Sequence, residues 1–263
     1  TIALDERIAS ESPSYAAGVE LLKDKSYADA EVQLKAALSE VINQYDKDHV
    51  KYRIGTALDR QGKYSEEIEV YKEVAASESY GAMNRAYAVM QLGQVYMKTR
   101  DEQIWQQIVS TEPYSQFDLP NREEGIAALY RYSTSLYPLA IPELRVADWY
   151  ASEVKRLALL PETPETAATI ADYIERINSR IARADADILR IQNDPNTKAY
   201  VPEALLRKAA VIGTLALSGY EQSTVAVQAF TDTLNYYATT GNTRGEDAHV
   251  RLRYAMFLAS LNI

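Results

Sequence analysis

Apolar positions recur along this chain at steps of three and four, the period of amphipathic helices. The pattern is sharpest in the first hundred residues, where it also repeats. Gly18 is followed by Leu21 and Tyr27, and Gly55 by Leu58 and Tyr64, at the same offsets. After each Tyr comes a second amphipathic segment, carrying Leu34 and Ala37 in the first copy and Tyr71 and Val74 in the second. A third copy opens at Leu92, Gly93 and Tyr96. The three glycines stand 37 and 38 residues apart, a spacing that suits stacked helical hairpins.

Each position in the pattern has a physical role. A glycine in the first helix lets the paired helix approach closely, and Leu21, Leu58 and Tyr96 fill the gap to the next helix. Short turns at Asp24-Lys25-Ser26 and Gln61-Gly62-Lys63 end the first helix, with Gly62 suited to a left-handed cap. Tyr27 and Tyr64 open the second helix and pack back over the turn, and Ala30 is small where the helices cross. One such hairpin cannot bury its own apolar face, so neighbouring hairpins stack.

On these residues the chain resembles the tetratricopeptide repeat (TPR) family. Gly18, Leu21, Tyr27, Ala30, Leu34 and Ala37 match its pattern in the first copy, and Gly55, Leu58, Gly62, Tyr64, Tyr71 and Val74 in the second. The third copy matches at Leu92, Gly93 and Tyr96 and then departs, with Arg100 and Glu102 where Gly and Tyr are expected. The resemblance is clearest over residues 14–110 and diverged over 202–261. It implies an all-α fold, a right-handed α–α superhelix of TPR-like hairpins. It also implies a non-enzymatic scaffold that holds a protein or peptide in a groove lined by the first helix of each hairpin. With the glycines as register marks, the groove set is Tyr15, Val19, Leu22 and Lys23, then Tyr52, Thr56, Asp59 and Arg60, then Met90, Gln94, Met97 and Lys98. The alternative is that later helices fill this concavity as ordinary core. The Lys and Asn clamp of the family's chaperone-tail branch has no counterpart, because Tyr15, Val19, Tyr52 and Thr56 occupy those places.

Beyond the repeats, Glu112–Pro120 carries two prolines and reads as a loop. Helices are expected at about 121–136 and 142–159, the second with Pro142 at its first position. A long helix follows at about 166–193. Its Ile174, Ile177, Ile181, Ala184, Ile188 and Ile191 form a coiled-coil-like seam. That seam serves either internal packing or self-association through Ile174, Ile177, Ile181 and Ile188. Arg176, Arg180, Arg183, Asp185, Asp187 and Arg190 are expected on its solvated faces. Asn193–Asn196 reads as a turn, helices resume at about 202–217 and 220–238, 238–242 is a loop, and a last helix covers about 244–261. The expected organisation is repeats over 1–112 and continuing helical repeats over 113–263, in one solenoid.

Composition narrows the function. The chain has 263 residues, long enough for one large domain or two small ones. Ten Gly and nine Pro are too few for the many turns of a β-sandwich or barrel. A net charge of -9 argues against nucleic acid and against a polybasic membrane surface. With no cysteine, disulfides, thiolate catalysis and Cys-type zinc sites are excluded. Twenty Tyr against three Phe suit semi-buried sites between helices and also binding surfaces. His49 and His249 have no second His or carboxylate at ligand spacing, and no metal or cofactor is expected. No nucleophile elbow, phosphate loop or calcium loop occurs. No apolar run approaches the 18 residues of a membrane span, and no leader-like segment opens the chain. It starts abruptly at Thr1 and stops at Leu261-Asn262-Ile263, at the end of a helical pattern, and is read as a piece of something longer. The absence of Cys and the wealth of Tyr tilt the expected compartment towards a bacterial periplasm or cell envelope over cytoplasm. A helical carbohydrate- or small-molecule-binding domain, or a glycan-processing one, is the alternative function.

Overall fold

The computed structural model describes residues 2–137, 140–195, 197–240 and 246–261, without the side chains of residues 2, 3, 199, 240, 246–249 and 252. The His249 side chain, Asn196 of the predicted turn and Gly241 and Asn242 of the predicted loop therefore lie outside the described residues. Among the described residues there are α-helices and short 3-10 turns and no strand. The chain divides into two compact units after Tyr137, so the predicted loop at Glu112–Pro120 falls inside the first unit. The reason is that the predicted loop forms a 3-10 turn, Tyr114–Phe117, whose Tyr114 and Phe117 are buried in the first unit.

The first unit consists of α1 (Ile2–Glu11), α2 (Pro13–Lys23), α3 (Tyr27–Glu40), α4 (Gln44–Gln61), α5 (Tyr64–Ala76), α6 (Gly81–Thr99), α7 (Glu102–Val109) and α8 (Arg122–Leu136). Local chemistry sets the starts. The Ser12 side chain accepts from the Tyr15 amide with Pro13 at the first helical position, and Asn43, Asp101 and Asn121 cap α4, α7 and α8 in the same way. The turn after the first helix of each repeat uses one left-handed residue: Lys25 (φ 63°), Gly62 (φ 71°) and Arg100 (φ 54°). The backbone thus repeats where the residue type does not, and two of the three positions carry the steric cost of a Cβ in that region.

The glycines act as the repeat pattern requires. A Cβ on Gly18 would lie 2.7 Å from Leu34, one on Gly55 2.6 Å from the Tyr71 ring, and one on Gly93 2.8 Å from the Tyr130 ring. In the first two repeats the partner stands on the next helix, α3 or α5. In the third it stands on α8, because α7 and the 3-10 turn are inserted between α6 and its packing partner. The third copy therefore packs across an intervening helix and turn. The core of α1 to α4 joins Ile8, Tyr15, Leu34, Ala37, Val50, Ile54 and Leu58.

The second unit consists of α9 (Ile141–Leu157), α10 (Pro164–Ile191), α11 (Val201–Leu217), α12 (Ser223–Thr240) and α13 (Glu246–Ser260). Near its start α9 places Leu144 in one core with Val201 and Ala204, at the start of α11, and with Ile188 and Ile191, at the end of α10. So α9 and α11 run the same way, α10 runs back against α9, and α9 packs on both of them. This packing consumes the isoleucine seam: Ile177 and Ile188 are buried, and Ile174 and Ile181 are half-buried. The expected self-association through Ile174, Ile177, Ile181 and Ile188 is corrected accordingly, because the seam faces its own unit. Two residues expected on solvated faces are also buried. Arg180 donates to Glu143 at 2.8 Å, and Asp187 lies against the same region. At Gly213 a Cβ would come 3.3 Å from Phe257 and 3.4 Å from Phe230, a looser version of the glycine contacts of the first unit.

Candidate functional site

The candidate face belongs to the first unit and is built from α2, α4 and α6. Helices α4 and α6 run in the same direction and in register. Asn84 donates to the Tyr45 hydroxyl at 3.2 Å, Gln91 donates to the Tyr52 hydroxyl at 3.1 Å, and Lys98 pairs with Asp59. The three contacts fall two turns apart on each helix and form a polar ladder along the seam between them.

The nine residues expected to bind a partner separate into distinct environments. Tyr15 and Met90 are fully buried, so as components of an open groove they are corrected: both are core. Val19 is half-buried against the first core. Tyr52 is partly buried, edge-on to Tyr71 with ring centroids 5.4 Å apart. Thr56 is partly buried and bonds to the Tyr52 carbonyl. Gln94 donates to the Tyr130 hydroxyl at 2.6 Å. Lys23, Arg60 and Lys98 are exposed and occupy the last turn of α2, α4 and α6, one per repeat. There they offset the partial negative charge of the helix C-terminus. Each has a nearby acid: Glu20 for Lys23, and Asp59 for Arg60 and Lys98.

Tyr15 is buried among α1, α3 and α4, and α1 is a helix with no counterpart in the repeat pattern. Asp5 on α1 accepts from the Tyr15 hydroxyl and pairs with Arg53. His49 Nε2 lies 2.9 Å from the same carboxylate, and His49 Nδ1 lies 2.8 Å from the Tyr80 hydroxyl. Arg7 of α1 pairs with the buried Asp46. Burial alone would raise the Asp5 pKa, but the hydrogen bonds from His49 and Tyr15 and the Arg53 charge outweigh it and hold the carboxyl well below its usual range. The ligand-spacing test on sequence missed the carboxylate beside His49 because it comes from 44 residues away. Among the described residues no group of three or more His, Asp or Glu is placed to hold a metal ion.

A second buried acid has the opposite character. Glu67, in the first turn of α5, is buried, and its Oε2 has no hydrogen-bond partner. Burial pushes its pKa up, Asp59 adds to the rise and Lys98 opposes it, leaving it at about 8. In the repeat register Glu67 stands where Ala30 stands one copy earlier. The aligned sequences therefore already marked it as an acid at a helix-crossing position.

Among the described residues no helix is long and apolar enough to cross a membrane. No protein-family model, curated protein or solved structure matches this chain.

Proposed function

We propose that the first unit is a TPR-like, non-enzymatic scaffold that binds a protein or peptide segment along the α2–α4–α6 face. The observation that carries this is the register of that face. The α4–α6 ladder repeats every two turns, and an exposed cation recurs at the equivalent position of three successive pairs, at Lys23, Arg60 and Lys98. A periodic surface suits a periodic ligand, such as an extended or helical segment with carboxylates spaced between apolar side chains. The apolar part would rest on Val19, Tyr52 and Met97, which are only partly buried. The net charge of -9 works against an acidic partner at long range, so recognition here depends on short-range contacts and association is not electrostatically steered.

The test is selection of peptides from a random displayed library against the full chain and against a Lys23→Glu/Arg60→Glu/Lys98→Glu variant. The proposal expects enrichment of segments with Asp or Glu at regular intervals on the parent only. Selection of the same sequences by both proteins, or of none by the parent, removes it.

A further inference from the structure

A different surface, in the second unit, has the makings of a small-ligand site. A cleft of about 380 Å³ lies among α9, α11, α12 and α13, within the size range of small-molecule sites. Leu144 and Leu206 supply an apolar wall, and the nearly buried Tyr237 closes one side. Two of its charged residues are already spent on each other: Arg207 donates to Glu203 at 3.0 Å. Two others are not. Asp148 on α9 and Arg253 on α13 both line the cleft, are solvent-accessible and make no hydrogen bond or ion pair among the described residues. Crowding by the surrounding protein raises the Asp148 pKa, against the charges of Arg207, Arg145 and Arg253.

We infer that this cleft binds a short zwitterion with an apolar side chain, of amino-acid to dipeptide size, with its ammonium at Asp148 and its carboxylate at Arg253. A carboxylate and a guanidinium that hydrogen-bond to no other described residue, in a concave, half-apolar site, complement that ligand charge for charge. A neutral sugar would leave both charges desolvated without an ionic partner. An anion alone would answer Arg253 and be repelled by Asp148. The inference concerns the second unit and stands apart from the proposed role of the first.

Calorimetric titration of the full chain with leucyl-leucine tests it, with the N-acetylated and C-amidated forms and a neutral disaccharide as controls. Free leucyl-leucine should bind, and each capped form should bind at least about tenfold more weakly, the loss of one charged contact. Asp148→Asn should remove the penalty for N-acetylation, and Arg253→Gln the penalty for amidation. Both side chains are solvent-accessible, and unchanged circular dichroism and melting would show that the variants fold. No heat with leucyl-leucine at millimolar concentration, equal binding of capped and free forms, or preference for the disaccharide would each overturn the inference.

Discussion

Glu67 offers a quantitative test of how the repeat packs. Its carboxyl has an ordinary pKa of 4.5 and is pushed to about 8 by burial in the folded unit. The raised value means that the folded state holds its proton more tightly than the unfolded chain does. Stability is therefore fullest below the ordinary pKa and falls as pH climbs towards the folded value. At 1.36 kcal/mol per unit, the ionisation penalty is about 3 kcal/mol at pH 7, and the loss between pH 5 and pH 9 is about 4 kcal/mol. Glu67→Gln keeps the shape and removes the ionisation. The variant should match the parent near pH 5, exceed it by about 3 kcal/mol at pH 7, and melt about 10 °C higher there. Thermal and urea melts of both proteins across pH 5 to 9 supply the comparison. Asp148 and Asp187, whose pKa values are also raised, are present in both proteins and cancel in the difference. Parallel pH profiles for parent and variant would refute the reasoning, since they would mean that the Glu67 carboxyl is solvated.

The Asp5 cluster should show the reverse sign. Its depressed folded pKa stabilises the unit above the ordinary carboxylate range, and that contribution is lost as pH falls. Asp5→Asn should cost about 2–4 kcal/mol in urea melts at pH 7 by leaving Arg53 and His49 without their carboxylate, with the deficit shrinking in acid. Gly55→Ala, which forces a methyl against the Tyr71 ring, should cost about 1–3 kcal/mol. At the exposed left-handed turns, Lys25→Gly or Arg100→Gly should stabilise by about 0.5–1 kcal/mol, read as a higher melting temperature.

The hairpins were legible in sequence because their determinants are local and periodic. Gly18, Gly55 and Gly93 fix the tight crossings, and apolar steps of three and four mark the buried faces. The third copy looked eroded because α7 and a 3-10 turn lie between Gly93 and its packing partner, Tyr130, and a fixed spacing does not reach across them. Tyr15 resembled a groove residue because α1, which completes its burial, lies outside the repeat pattern. The covering helix α1 packs through Leu4 and Ile8 and also binds through Asp5 and Arg7, polar residues outside any hydrophobic period. The isoleucine seam of α10 was visible as a seam, but its partner was not, since a stripe of that kind packs equally well on α9 and α11 or on another chain. The cleft had no sequence signal at all: Asp148, Arg207 and Arg253 come from three helices and share no spacing.

The central claim is that successive helix pairs present equivalent positions to one partner. It is tested most directly by the dissociation constant of a library-selected peptide for the parent and for Lys23→Ala, Arg60→Ala and Lys98→Ala, alone and combined. Equivalent contacts predict that each single change weakens binding by a similar factor, about threefold to tenfold, and that the losses accumulate in the triple variant. A triple variant that binds the peptide as tightly as the parent would contradict the claim.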